Sequence, residues 1–259
     1  MDNSVIEVKN LSKTFVSRTS AVSSIRERFT KIFSKQSNNI QTVYALQDIN
    51  FDVQQGEFFG IIGRNGSGKS TLLNLLMRSI HPEKGSVIKT KGKIIRLALG
   101  MGFDGNLSAR DNIYINGSIL GLTFKRIGLI FDDIIGFAEL EKFVDLPVKK
   151  YSSGMLSKLK FAIAIYAEAD IFLMDEFFGG VGDESFKKKS DEVFRNTFLD
   201  GRTIIHVSHK MNTINEHCSR VLVLDRGKQL YLGEPEEGVT MYKKLFREQK
   251  GKKIANKKV

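Results

Sequence analysis

The sequence predicts an α/β protein built on a parallel sheet with helices covering both faces. Two observations predict it. Short apolar runs alternate along the chain with longer amphipathic segments. One of those runs, EFFGIIG at 57–63, leads straight into GRNGSGKS at 63–70 and then into a helix-forming stretch. A strand, a glycine-rich loop and a helix in that order give a G-x-x-x-x-G-K-[ST] pattern its meaning.

The elements follow in order. VIEVKNLSKTF at 5–15 is a strand, and YALQDINFDVQ at 44–54 is a second. Between them lies a polar, basic insert at 18–39. Its Val22, Ile25, Phe29 and Ile32 stand at spacings of three and four, one face of a helix, with Arg26, Arg28 and Lys31 off it. That helix is either an ordinary surface helix or an interfacial one that meets lipid or a membrane subunit. EFFGIIG is a buried strand, and STLLNLLMRSI at 70–80 is a helix ended near Pro82 and Gly85. GSVIKTKGKIIRLAL at 85–99 makes two short strands around a Lys91–Gly92 turn. Residues 108–147 carry helical segments, so a mostly helical subdomain stands at about 105–150. YSSGMLSKLKFAIAIYAEA (151–169) is a helix, DIFLMDE (170–176) a buried strand, SFKKKSDEVFRNTFL (185–199) a helix and RTIIHVSH (202–209) a strand. RVLVLDRGKQLYLG (220–233) is a hairpin turning at Arg226–Gly227. A short helix at 236–248 precedes a basic tail, 249–259, too polar and short to fold. The sequence contains no internal repeat.

Composition narrows the class. Of 259 residues, 41% are hydrophobic and 27% charged, the balance of a soluble globular protein. Cys218 is the one cysteine, which excludes an intramolecular disulfide and suggests a buried, inert thiol. No run reaches the roughly 18 apolar residues of a membrane span, and the N-terminus has no signal-peptide pattern, so the expected compartment is the cytoplasm. The net charge of +11 is concentrated rather than spread. Arg18, Arg26, Arg28, Lys31 and Lys35 oppose only Glu27, and Lys250, Lys252, Lys253, Lys257 and Lys258 oppose no acid. A nucleic-acid binder is more often basic along its working face. Two basic appendages suit an anionic membrane surface at least as well.

The loop at 63–70 is a phosphate site. Its glycines let the backbone curl so that N–H groups point inward and, with the helix dipole, hold β- and γ-phosphates. The candidate nucleotide-binding residues are Gly63, Arg64, Asn65, Gly66, Ser67, Gly68, Lys69, Ser70 and Thr71. Lys69 adds a point charge, and Ser70 offers a hydroxyl to Mg²⁺. At the end of IFLMDE, Asp175 is placed to hold Mg²⁺ directly or through water, and Glu176 to orient the attacking water. His209, after the third strand, can reach the γ-phosphate. Glu176, His209 and Lys69 are thus the candidate catalytic residues. His206, inside the strand, is expected in the core, and His81 and His217 are surface or structural. These residues imply an ATP- or GTP-binding protein and leave its class open.

YSSGMLSKL at 151–159 separates the classes. Ser153 and Gly154 match the core of the ABC ATPase signature, usually written LSGGQ, while Ser152 and Met155 depart from it. A helix start with free N–H groups and hydroxyls favours an anion. The resemblance to ABC ATPases implies a domain over 1–248 with a RecA-like core, an antiparallel β subdomain and an inserted helical subdomain at about 105–165. It implies that Tyr151, Ser152, Ser153, Gly154 and Met155 reach across a head-to-tail homodimer to ATP held by the partner copy. The spelling YSSGM, with Lys158 following, resembles the nucleotide-binding subunits that export bacterial O-antigens, capsules and teichoic acids. VGDESF (181–186), LALGMGF (97–103) and ARDNIYINGSILGL (109–122) resemble the same group, and the likeness covers most of 5–235.

The resemblance implies an ATP hydrolase coupled to transport, using ATP and Mg²⁺. Its expected partners are a second copy, two copies of a polytopic permease and, through the permease, a lipid-linked polysaccharide. Its expected place is the cytoplasmic face of the inner membrane. Asp183 would be a dimer contact. Phe15 would map to the aromatic that stacks on adenine, or else is a strand-end core residue. Two departures stand out. Residues 93–112 contain no glutamine, where most ABC ATPases carry one, and the stretch from Asp175 to Asp183 is one residue longer than usual. The chain stops soon after its last helix, so no C-terminal carbohydrate-binding domain is expected. The competing readings are a soluble ABC-type ATPase acting on nucleic acid and a scaffold ATPase. The first is disfavoured because its repair members carry long coiled coils and its translation members two ATPase halves. No nucleic-acid partner is therefore expected.

Overall fold

A computed structural model describes residues 3–18, 40–97, 102–175, 184–198 and 201–255. The amphipathic face expected at Val22, Ile25, Phe29 and Ile32 lies outside the described residues, as do Glu176 and Asp183.

Among the described residues nine strands form the sheet, in the order β4-β1-β2-β9-β8-β3-β7-β6-β5. They are β1 (Ser4–Arg18), β2 (Ile40–Gln54), β3 (Phe58–Gly63), β4 (Val87–Thr90), β5 (Ile94–Leu97), β6 (Ile171–Asp175), β7 (Thr203–Val207), β8 (Arg220–Asp225) and β9 (Lys228–Gly233). The half from β5 to β8 is parallel. The other half is antiparallel, except for one parallel pairing, Gln47 to Lys228, that joins β2 to β9. This is the parallel core with an antiparallel β subdomain that the sequence led us to expect.

The central strands are apolar at nearly every position because both faces are covered. Phe58 and Ile62 of β3 face a core completed by Phe172, Met174, Ile204, Val221 and Val223, with Phe186 and Phe194 beneath. The alternate residues, Phe59 and Ile61, face a second core with Leu173, Ile205, Leu222 and Leu224. That second core is closed by Leu72, Leu73, Leu75 and Leu76 of helix α1 (Lys69–Leu76). Phe186 and Phe194 stand on α5 (Glu184–Phe198).

A third core belongs to the helical subdomain. Ile113 on α2 (Ala109–Ile119), Ile127, Ile130 and Ile134 on α3 (Phe124–Ala138), and Leu159 and Ile163 on α4 (Ser153–Ala164) fill it. Each of these helices has a side-chain cap: Ser108 with Asp111 in a reciprocal capping box, Thr123, and Ser152. Leu120, Phe137 and Tyr166 pack against both this core and the first. The remaining helices are α6 (Met211–His217) and α7 (Pro235–Ala255).

Arg220 fastens the two halves of the sheet. Its guanidinium donates to both carboxylate oxygens of buried Glu57, at 2.8 and 2.9 Å, and to the Asp52 carbonyl oxygen at 2.9 Å. The Glu57 and Asp52 carboxylates hold its pKa above the usual arginine range, against the desolvation that opposes them.

Two expectations need correction. The last helix does not stop at 248. It runs to Ala255 and takes in 249–255, which composition had assigned to a disordered tail. The helix expected over 151–169 is shorter, because Ser152 caps it rather than joining it and it ends at Ala164. The cysteine reading holds: Cys218 is buried, and burial pushes its thiol up to about 12. Among the described residues no helix is long and apolar enough to cross a membrane.

His206 is fully buried on β7, with the Phe58 ring edge-on at 5.9 Å. Burial, aided by the nearby charges of His217 and Lys210, pushes its pKa down to about 3 from 6.5, while a backbone hydrogen bond at Met174 opposes the shift. Above pH 6.5 the imidazole is neutral in folded and unfolded chains alike. As the pH falls from 6.5 toward 3 only the unfolded chain takes the proton, so stability is lost at up to about 1.4 kcal/mol per pH unit. Urea unfolding between pH 7 and 5 is expected to have a shallower pH slope in His206→Gln than in wild type. Equal slopes would exclude His206 as the source.

Candidate functional site

The glycine-rich loop joins β3 to α1 by backbone approach. A Cβ at Gly63 would stand 2.4 Å from the Leu224 carbonyl oxygen, and one at Gly68 2.6 Å from the Ala45 carbonyl oxygen. Gly68 is also left-handed, with φ 107, and caps α1 without a side-chain hydrogen bond. The first N–H groups of the helix therefore have no side-chain cap and remain available to an anion. Two backbone hydrogen bonds hold the loop in place. Gly227 N–H donates to the Ser67 carbonyl oxygen at 2.9 Å, and Gln47 N–H donates to the Gly227 carbonyl oxygen at 2.7 Å. Lys69 is buried, and its ammonium donates to the Gly63 and Arg64 carbonyl oxygens at 2.6 and 2.9 Å. Ser67 Oγ is buried with no hydrogen-bond partner among the described residues.

This loop floors a cleft of about 940 Å³. Asn65, Gly66, Ser67, Gly68, Lys69, Ser70 and Thr71 line it, and so do Asp175 from the end of β6 and His209 from beyond β7. Parallel β6 and β7 carry both chemical groups to the same edge of the sheet. Gly63 and Arg64 contribute through the carbonyls that hold Lys69 rather than through the lining. Phe15 lines the cleft too and is 42% exposed, which excludes the strand-end core alternative. The Lys13 ammonium stands 5.5 Å from its ring centre.

Sequence reasoning missed Val43, Tyr44, Ala45, Val207 and Arg226, which complete the lining. Antiparallel pairing sets Phe15 opposite Val43 and Thr14 opposite Tyr44, so the aromatic end belongs to two strands. Arg226 sits in the expected hairpin turn, with φ 48; the turn was legible, its contact with the cleft was not. Reasoning also missed an ion pair: Arg96 on β5 donates to Asp175 Oδ2 at 2.6 Å.

The helix start singled out at 151–155 is not part of the cleft lining. The Ser152 hydroxyl accepts from Met155 N–H at 3.1 Å, and the Tyr151 hydroxyl donates to the Phe143 carbonyl oxygen at 2.8 Å. Ser152 and Ser153 are exposed, and a Cβ at Gly154 would meet nothing closer than 3.8 Å. His206 is in the core, as expected, while His217 is part-buried and His81 exposed.

Ser70 and Asp175 form a pair of hard oxygen donors. That set suits Mg²⁺, which takes one or two protein ligands and completes its shell with waters and phosphate oxygens.

Known proteins resemble this chain in sequence and in fold. The family described as ABC transporter matches residues 46–179. The O-antigen export system ATP-binding protein RfbB of Klebsiella pneumoniae is 42% identical over 203 residues, 78% of this chain and 82% of that protein. The teichoic acids export ATP-binding protein TagH of Lactococcus lactis is 40% identical over 222 residues, 86% of this chain but 47% of that protein. An RfbB of Myxococcus xanthus is 39% identical over 93% of this chain and 56% of its own length. The chain thus spans about half the length of some curated relatives it matches. Among solved structures, a dimeric post-hydrolysis state of the ATP-binding cassette MJ0796 bound to ADP and Pi overlays with a TM-score of 0.63 at 20% identity. The overlay covers 89% of this chain and 98% of that one, and it establishes the fold.

Two glycines of the loop give a graded test. Gly66 is left-handed with open space around it, whereas Gly68 is left-handed and crowded by Ala45. Gly66→Ala is expected to lower unfolding stability by about 1 kcal/mol, from backbone strain alone. Gly68→Ala is expected to lower it by about 2 kcal/mol or more, because the clash adds to the strain. Equal losses in urea titrations would refute the steric argument.

Proposed function

The chain belongs to the ABC transporter family, and on that premise we propose that it is the ATP-hydrolysing subunit of an exporter of lipid-linked cell-surface polysaccharide. The observation that carries the reading is the convergence of Lys69, Ser70, Asp175 and His209 on one cleft whose lining leaves out the start of α4. One copy thus has a complete phosphate cradle and, outside the cleft, a second helix start capped by Ser152.

The residues act chiefly by position and charge. Phosphate oxygens meet the N–H groups of the loop and of the first turn of α1. The Lys69 ammonium exchanges two loop carbonyls for the β- and γ-phosphates. Ser70 and Asp175 would hold Mg²⁺, which would supply positive charge to neutralise charge developing on those oxygens. Glu176, the next residue after Asp175, orients the attacking water, and His209 contacts the γ-phosphate. Phe15, with Val43 opposite it on the same face, gives the base a flat apolar surface. The start of α4, Tyr151–Met155, closes over ATP held by a second copy, with Asp183 at the contact.

The working unit is then a homodimer seated on two copies of a polytopic permease, at the cytoplasmic face of the bacterial inner membrane. The basic stretch at 18–35 suits an anionic lipid surface there. The cargo is a polymer of the O-antigen or capsule type, and the names of the RfbB relatives support this. Teichoic acid is the second reading, favoured by the relatives named TagH. The lipid-linked polymer that accumulates in a deletion strain decides between them. Accumulation of no such polymer would count against both.

Two variants test the chemistry. Glu176→Gln is expected to bind ATP normally, to hydrolyse it about a hundredfold more slowly or worse, and to accumulate as a dimer. An unchanged steady-state rate would remove Glu176 from its role. Phe15→Ala is expected to weaken ATP binding about fivefold while leaving pyrophosphate binding intact. Equal weakening of both ligands would show that Phe15 supports the loop rather than the base.

A further inference from the structure

We propose that Arg96 competes with the divalent cation for Asp175 and so sets how much Mg²⁺ the site needs to hold ATP. The proposal rests on reading Asp175 as a metal-binding carboxylate.

The contact follows from the register of the sheet. Arg96 lies opposite Leu173 in the parallel pairing of β5 with β6. Side chains alternate along a strand, so Leu173 and Asp175 share a face, and Arg96 reaches along that face to the carboxylate. Its Nη2 stands 2.6 Å from Asp175 Oδ2, and the two side chains are 27% and 28% exposed. A charge-assisted bond of that length, partly withdrawn from water, is stronger than an open surface pair. Arg96 Nε is buried with no hydrogen-bond partner among the described residues. The guanidinium is thus held at one end by Asp175.

The charge balance of the cleft gives this pair its weight. Among the described residues that line the cleft, Asp175 is the one carboxylate, beside Lys69 and Arg226. Mg²⁺ draws little of its binding from protein ligands, so the net charge on each one matters. With Oδ2 bonded to a guanidinium, part of the negative charge that would attract the cation is already neutralised. Mg²⁺ must therefore take the carboxylate from Arg96 or share it. The stretch 93–112 contains no glutamine. Among the described residues of that stretch, Arg96 is the side chain that hydrogen-bonds to Asp175.

The test uses the full chain and a fluorescent non-hydrolysable ATP analogue, with free Mg²⁺ titrated at fixed nucleotide and a parallel measurement in EDTA. In Arg96→Met the half-saturating Mg²⁺ concentration is expected to fall roughly fivefold, while affinity in EDTA stays at the wild-type value. Arg96→Lys, which keeps the charge, is expected to stay close to wild type. If Arg96→Met does not fold, Arg96→Gln carries the same expectation, since it drops the charge and keeps a polar group. An unchanged or raised Mg²⁺ requirement in a folded, charge-free variant overturns the proposal. So does equal tightening with and without Mg²⁺, which would mean that Arg96 acts on the loop and not through the metal. Asp175→Asn separates the two levels of argument. A raised Mg²⁺ requirement there upholds the reading of Asp175 whatever Arg96 does, and an unchanged one sinks that reading and this proposal with it.

Discussion

Three chain segments meet backbone to backbone at Gly68 and Gly227, and the cleft depends on that meeting. Ala45 of β2, the glycine-rich loop and the β8–β9 turn approach so closely that a Cβ at either glycine would overlap the Ala45 carbonyl. Hydrogen bonds from Gly227 to Ser67 and from Gln47 to Gly227 lock the three together. Because β2 belongs to the antiparallel half of the sheet and the loop to the parallel half, this contact brings the aromatic end of the cleft to the phosphate end. Phe15 and Tyr44 arrive beside Lys69 through strand pairing, with no dedicated segment to carry them. Arg220 clamps the same two halves through Glu57 and Asp52.

What was legible in the sequence was local. The parallel strands announced themselves as unbroken apolar runs, because both of their faces are covered. The loop was legible because its glycines and lysine recur in one order for one physical reason. The distinction between His206 and His209 followed from position alone, one inside a strand and the other past its end. What was not legible depends on partners far away in the chain. Phe15 and Tyr44 stand in amphipathic strands and could have faced either way; the pairing of β1 with β2 decides it, setting Phe15 opposite Val43 and Tyr44 opposite Thr14. Arg96 and Asp175 are 79 residues apart in the chain, and no local pattern links them. The length of α7 escaped for a different reason. Gly251 and a run of lysines discourage helix by composition, yet the helix continues through them.

The three apolar cores group the elements of the chain. Two lie on opposite faces of the sheet, and the third is enclosed by α2, α3 and α4. Each recruits residues at its own spacing, alternating in the strands and three to four apart in the helices. Among the described residues, the part-buried side chains Leu120, Phe137 and Tyr166 serve two cores at once. Lys158 of α4 joins them at the seam: it pairs with Glu139 at 2.6 Å and stands 5.0 Å from the Phe186 ring centre on α5.

The cap on α4 has a thermodynamic consequence. With the Ser152 hydroxyl accepting from Met155, the first turn is already ordered in the single copy. The conformational entropy of arranging those N–H groups was given up during folding, so it is not deducted again when an anion arrives. A helix start held ready in this way trades adaptability for preorganisation. It can greet an anion only in the geometry the cap permits.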